Sequence, residues 1–310
     1  MVTKPGAAIR NAAMRTLRLL TPKATSSGLR RTSDAQRADG GANAGNAGNA
    51  LPDLALLAEN AALRNLHHGR RCFVLCNGPS VLKQDLAALE GELVISVSSG
   101  YHHPRYSLFR PWYHCVPQIT YGMFTEEDAV EWFREMHERI GVAELFLNCT
   151  EEPLVRRHGL FPGRKVRYLW LSEDMDQLQT RAIPDLTTAV PRVQSVSVMC
   201  LMIAMYMGFR RIYLLGVDHD QFKTGEYKYF YVPTVLHGKD SEVHPDGRVR
   251  TSRYDEFQAL ARLWRQYRRL REIGAANGIE IFNATAGGEL DEFPRVQFDS
   301  LFDGGAAASP

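Results

Sequence analysis

Asn77-Gly78-Pro79-Ser80 follows directly on an apolar run, Arg71-Cys72-Phe73-Val74-Leu75-Cys76, and a helix-compatible segment, Leu82 to Leu89, comes after it. The spacing predicts a strand that ends abruptly, turns and feeds a helix. In an open α/β sheet such a turn lies where ligands bind, beyond the carboxyl end of the strand. Gly78 admits close approach of the backbone to a ligand, Pro79 suits an early helical position, and Ser80 is a cap candidate. The free N–H groups of the turn would attract a phosphate or carboxylate. The plain alternative is an ordinary β–α turn.

Three further constellations carry chemistry. Gln194-Ser195-Val196-Ser197 opens the apolar stretch Val196 to Met207, where Ser195 or Ser197 can cap a helix whose unpaired N–H groups form a second anion site. Ordinary capping explains the same residues. Gly216-Val217-Asp218-His219-Asp220 ends an apolar strand, and a carboxylate there can hold a ribose hydroxyl, hold Mg²⁺ or act as a base. The segment Phe222 to Arg253 carries Tyr227, Tyr229, Tyr231, His237 and His244, with Gly225, Gly238 and Gly247. It is too polar for a core and too aromatic for a plain linker, which predicts a lid. A lid histidine titrates near neutrality and suits a general base; the alternative is a surface histidine. His67-His68 and His102-His103 lack cysteine or carboxylate partners at metal-ligand spacing and read as structural or surface residues.

The elements that must position these residues alternate. Helical spacing covers Leu54 to Leu66, Glu126 to Ile140, Gln194 to Met207 (stopped by Gly208) and Tyr254 to Ala276. Strands are predicted at Leu93–Ser98, Trp112–Val116, Glu144–Asn148, Val166–Leu171, Arg211–Val217 and Gly278–Asn283. This order predicts an α/β fold: a Rossmann-like, mostly parallel sheet with helices on both faces, plus the lid segment at about residues 222–253.

The 310 residues, 45% hydrophobic, suffice for one large domain or two small ones. Residues 1–50 carry eight Lys/Arg and two Asp/Glu, a charge of +6, so the remainder, with 29 Lys/Arg and 33 Asp/Glu, carries −4. A mildly acidic body argues against a nucleic-acid surface. The Ala/Gly/Asn-rich stretch 1–50 reads as a disordered tail, 51–302 as the domain and 303–310 as a second tail. Ile9 to Leu20 has the pattern of a short basic amphipathic helix, suited to weak contact with an anionic membrane surface; a solvated tail explains it as well. The five cysteines are odd in number, scattered and flanked by apolar residues, as reduced thiols of a cytoplasmic protein would be. Cys72 and Cys76 alternate with their neighbours on a strand, which argues against a metal pair. The run Val196–Met207 is too short to span a bilayer.

Taken in order, the motifs resemble a known group. The strand with Asn77-Gly78-Pro79-Ser80 resembles the opening of the bacterial sialyltransferases of glycosyltransferase family 42. It also resembles the motility-associated factors that glycosylate flagellin, and the domain they share with 6-hydroxymethylpterin diphosphokinase-like proteins (DUF115). Ser195-Val196-Ser197-Val198-Met199 through Met207-Gly208-Phe209-Arg210-Arg211-Ile212-Tyr213-Leu214-Leu215-Gly216-Val217-Asp218 is similar in order to the same group, and so is Ile281-Phe282-Asn283-Ala284-Thr285 with Phe293-Pro294-Arg295-Val296. The resemblance spans residues 55–302. It implies a Rossmann-like sheet binding a nucleotide donor, CMP-sialic acid in the characterised sialyltransferases. Carried over, Asn77, Gly78, Pro79 and Ser80 line the nucleotide phosphate and ribose. Ser195, Val196 and Ser197 face the cytidine or phosphate, with Gly216 and Asp218 completing the nucleotide site. Tyr227 falls near the donor phosphate. His244, or second His237, is the general base that takes a proton from the acceptor hydroxyl. No cofactor or metal is implied, since lid tyrosines stabilise the leaving phosphate. Two positions depart from the pattern: Ser98 stands where the sialyltransferases have an asparagine, and His114-Cys115-Val116-Pro117 where they have another. A nucleotide sugar other than CMP-sialic acid is compatible with those changes.

The leading expectation is therefore a cytoplasmic glycosyltransferase of surface polysaccharide or glycoprotein synthesis, peripheral on the inner membrane face if the tail binds lipid. Its partners are a nucleotide sugar and a glycan or glycoprotein acceptor, with a homo-oligomer allowed. The alternatives are an ATP- and Mg²⁺-dependent diphosphokinase-like phosphotransferase holding metal on Asp218 and Asp220, and a non-catalytic nucleotide-binding protein of a polysaccharide locus.

Overall fold

The computed structural model describes residues 53–119, 125–173, 181–224, 229–231 and 253–302. His237, His244 and Tyr227 lie outside them, as do residues 1–50 and most of the segment expected to form a lid.

Eight strands form one sheet: β1 Arg71–Leu75, β2 Val94–Val97, β3 Tyr113–Cys115, β4 Glu144–Asn148, β5 Val166–Glu173, β6 Ala189–Pro191, β7 Arg211–Leu215 and β8 Glu280–Asn283. Every pairing is parallel, and the spatial order is β6-β5-β4-β3-β2-β1-β7-β8. The chain winds outward from β1 to β6, then returns to the other side of β1 with β7. The point where strand order reverses lies between β1 and β7, at their carboxyl ends.

The central strands are apolar because both of their faces are covered. Alternate residues go to opposite cores. Cys72, Val74 and Cys76 of β1 join Ile212 and Leu214 of β7 in the core that contains the helix Val196–Tyr206. Phe73 and Leu75 join Tyr213 and Leu215 in the core that contains the helix Glu126–Arg139. Cys72 and Cys76 thus share a face, and burial pushes both thiols well above their ordinary pKa. All five cysteines are free.

Ten of the eleven residues of the helix Val196–Tyr206 are buried, between the sheet and the long helix Arg253–Ala276. That explains why its sequence is apolar on every side. The helix Glu126–Arg139 opens with a capping box, Thr125 with Asp128. Among the described residues no helix is long and apolar enough to cross a membrane.

Three local expectations are corrected. Leu82–Leu89 is not a helix: two short 3₁₀ turns, Pro79–Lys83 and Leu86–Leu89, take its place, the second capped by Asp85 accepting from the Ala87 N–H. The Leu54–Leu66 segment is α-helical only over Leu54–Ala58 and continues as a 3₁₀ turn, Glu59–Leu63. There the buried Asn60 side chain donates to the carbonyls of Tyr168 and Leu186, tying the turn to the neighbourhood of β5. Strand β6 was not expected; it pairs with β5 at the sheet edge through only three residues.

Candidate functional site

The loops after β1 and β7 meet at the switch point. Gly78 N–H donates to the Gly216 carbonyl at 2.9 Å, and Cys76 N–H to the Leu215 carbonyl at 2.9 Å. Gly78 is required for space: a Cβ on it would lie 1.8 Å from Asp218 Oδ2. Gly216 has φ +64, and a Cβ there would lie 2.5 Å from the Cys76 carbonyl oxygen.

Ser80 does not cap a helix. Its hydroxyl donates to Asp218 Oδ2 at 2.7 Å, and its N–H to Oδ1 at 3.3 Å. The turn's N–H groups were expected to face a phosphate; those of Gly78 and Ser80 are instead taken by the protein's own carbonyl and carboxylate. Burial raises the pKa of Asp218, and Asp220 adds to the rise, while the Ser80 bonds oppose it. Ser80→Ala should therefore cost about 2 kcal/mol, because a buried carboxylate loses its donor, and should lift the Asp218 pKa further. Urea unfolding and carboxylate NMR would check this; a cost below about 0.5 kcal/mol is the outcome that rejects it.

Asn77 ends β1 with only 6% of its surface exposed. Its Nδ2 donates to the Val97 carbonyl at 3.3 Å and lies 3.5 Å from the Tyr231 hydroxyl. Its Oδ1 is buried with no hydrogen-bond partner among the described residues. A buried acceptor of this kind is costly unless something supplies a donor. Phe230 and Tyr231 lie against it. Phe230 N–H donates to the Asn77 carbonyl at 3.1 Å, Tyr231 stacks on Tyr229 at 5.1 Å, and Tyr231 also meets His102 at 5.2 Å.

Ser98 follows β2 in a left-handed conformation, φ +46. His114 Nε2 donates to its carbonyl at 2.8 Å. That fixes the tautomer, so Nδ1 accepts from the Ser96 hydroxyl at 2.8 Å, and Ser96 in turn accepts from Tyr106 at 2.8 Å. Burial drives His114 down to about 3. This closed network supports the Ser98 loop.

Ser195 is the N-cap of the helix Val196–Tyr206 and accepts from the Ser197 N–H at 3.4 Å. Because that helix leads into a strand parallel to the others, its N-terminus, with Val196, lies at the carboxyl edge. Beside it stands a line of polar groups: Ser195 Oγ is 2.7 Å from Ser197 Oγ, which is 2.5 Å from the Tyr267 hydroxyl, which is 2.7 Å from His219 Nε2. Burial lowers His219 to about 4, and its backbone is left-handed at φ +45.

The expected residues Asn77, Gly78, Pro79, Ser80, Ser98, Ser195, Val196, Ser197, Gly216 and Asp218 thus all lie on the carboxyl edge of the sheet. Asp220 follows two residues after Asp218, in the same loop. Sequence reading missed His219, Tyr267, Ser96, Tyr106 and the role of His114. Two signals were available. Ser96 is a polar residue inside an apolar strand. Tyr267 shares the buried face of its helix with Leu263 and Leu270, and a buried tyrosine hydroxyl needs a partner.

Fold and site together define an open, parallel α/β protein with buried polar groups gathered at its switch point, a class whose members bind ligands at this edge. No family model matches the chain, and no curated protein matches it. Among solved structures, the chain is similar to the sialyltransferase CstII from Campylobacter jejuni, solved in complex with a substrate analogue, cytidine-5'-monophosphate. The identity is 16%, the match covers 74% of this chain and 85% of that chain, and the TM-score is 0.37.

Proposed function

We propose that this chain is a sialyltransferase-like glycosyltransferase that takes its donor as a nucleotide sugar. The observation that supports this best is the buried Oδ1 of Asn77 at the switch point, without a partner among the described residues and beside Tyr231, whose ring stacks on Tyr229. A nucleotide brings what that arrangement lacks: a ribose hydroxyl to donate to Asn77, and a flat base or sugar face to lie on aromatic rings. Ser195, the N-cap of its helix, completes the site with a polar group for the nucleotide base.

In this reading Asn77 and Ser195 orient the donor. The general base is His244 or His237, which takes the proton of the acceptor hydroxyl as that oxygen attacks the anomeric carbon. The nucleotide then leaves with the bond electrons. Burial makes His114 and His219 weak bases, at about 3 and about 4, and so poorly suited to take that proton. The proposed reaction needs no metal. The alternative, a Mg²⁺-dependent phosphotransferase, would use Asp218 and Asp220; each Asp218 oxygen already accepts from Ser80 and keeps one further lone pair for a metal. The acceptor is proposed to be a surface glycan or glycoprotein.

A thermal-shift panel of CMP, CDP, UDP, GDP and ATP, each with Mg²⁺ or with EDTA, tests the reading. A nucleotide at about 100 times its dissociation constant should stabilise the fold by roughly 2.7 kcal/mol. Stabilisation by a pyrimidine or guanine nucleotide in EDTA, weakened about tenfold by Asn77→Ala, is the expected result. Stabilisation only by ATP with Mg²⁺ would move the assignment to the phosphotransferase, and no shift at all would reject both.

A further inference from the structure

We propose that His219 is a positioning residue that, through Tyr267 and Ser197, sets whether the Ser195 hydroxyl offers the bound nucleotide base a hydrogen-bond donor or an acceptor. The inference rests on the nucleotide reading of the site. It starts from three successive short contacts, 2.7, 2.5 and 2.7 Å, between groups that are all buried.

Each hydroxyl carries one proton, so two orderings keep every bond of the line. If His219 Nε2 is bare, Tyr267 donates to it, Ser197 donates to Tyr267 and Ser195 donates to Ser197. Ser195 then has only lone pairs to offer. If Nε2 carries the proton, every bond reverses and the Ser195 proton is free for a ligand acceptor. Neither Ser197 nor Tyr267 can turn alone without stranding a buried hydroxyl, which costs about 1–3 kcal/mol, and Ser195 turns alone only by giving up its bond to Ser197.

The line is built rather than incidental. His219 keeps a left-handed backbone that non-glycine residues rarely adopt, and strain of that kind persists where the surroundings enforce it. Tyr267 and Trp264 hold its ring, at 5.6 and 5.8 Å. Burial keeps it neutral, so it acts through its tautomer and not as a cation. The other end of the line is a helix N-cap on the ligand edge. There the adjacent Gln194, also buried, has an Nε2 without a partner among the described residues.

Cytidine and uridine 5'-monophosphate test this directly, because they differ by exchange of donor and acceptor on the base edge. Ribose 5-phosphate lacks the base and serves as the control ligand. With the full chain, calorimetry should show wild type separating the two nucleotides by at least tenfold. Tyr267→Phe removes one buried hydroxyl and should bring the ratio to within about threefold. It should leave ribose 5-phosphate affinity within twofold. His219→Leu removes the far end of the same line and should do likewise, which covers the case of one variant failing to fold. A ratio unchanged in either folded variant, or no discrimination by wild type, overturns the proposal while leaving the nucleotide reading intact. If wild type binds neither nucleotide, the nucleotide reading fails and this inference falls with it.

Discussion

Gly78→Ala should destabilise the protein by about 3 kcal/mol and abolish ligand binding. The residue has an ordinary backbone, φ −64 and ψ 148, which alanine adopts freely. The penalty is therefore steric. The added Cβ would lie 1.8 Å from Asp218 Oδ2 and 2.6 Å from the Gly216 carbonyl oxygen. Asp218 is anchored by Ser80, and the Gly216 carbonyl belongs to the loop that continues β7. Making room means prising apart the β1–β7 pair at Leu75 and Leu215, two interior strands of the sheet. Gly91→Ala supplies the comparison. It has φ +80 but nothing within 4 Å, so it should cost only left-handed strain, about 1 kcal/mol. Urea unfolding of the two variants checks the argument, and equal costs would refute it.

Stability should fall steeply as pH drops from about 6.5. His219 is held at about 4 and His114 at about 3, against an ordinary 6.5, both by burial. Below pH 6.5 the unfolded chain binds a proton at each site and the folded chain does not. Stability therefore rises with pH through this window and is lost as pH falls, at up to about 1.4 kcal/mol per pH unit for each histidine. The loss levels off once pH passes below the folded values. Burial also lowers His67, His102 and His103, which act in the same direction. Asp218 opposes them, because its raised pKa makes its protonation favour the folded state in acid. Two pH units would remove about 5 kcal/mol through His114 and His219, a large part of a typical domain's 5–15 kcal/mol. Unfolding curves from pH 7 to 4.5 should show this slope, and His219→Gln should reduce it by about 1.4 kcal/mol per unit. A flat profile in wild type would show that these imidazoles are not held neutral.

The elements readable in advance were those whose signal is local. β1 and β4 occur at Arg71–Leu75 and Glu144–Asn148, the helix at Glu126 begins where Thr125 can cap it, and Ser195 caps the buried helix. Misreadings came where distant partners decide. Leu82–Leu89 has helical spacing, yet Ser80 is pulled to Asp218, 138 residues away, and the chain makes 3₁₀ turns instead. β6 is three residues containing a proline, and it exists only because β5 offers an edge at Trp170 and Leu171.

The sequence by itself determined the alternation of apolar runs and capped helices, hence a parallel sheet, and it determined which turns end on the ligand edge. Those features follow from periodicity and from backbone rules that act over a few residues. Only the tertiary structure decided what those turns hold. Asp218 fills the turn expected to hold a phosphate, Asn77 keeps an oxygen without a partner among the described residues, and Ser195 is wired to His219 through a tyrosine 70 residues away from Ser197. Such pairings depend on strand order and helix placement, and a hydroxyl or imidazole acquires its chemistry from whichever buried group the fold sets within 3 Å of it.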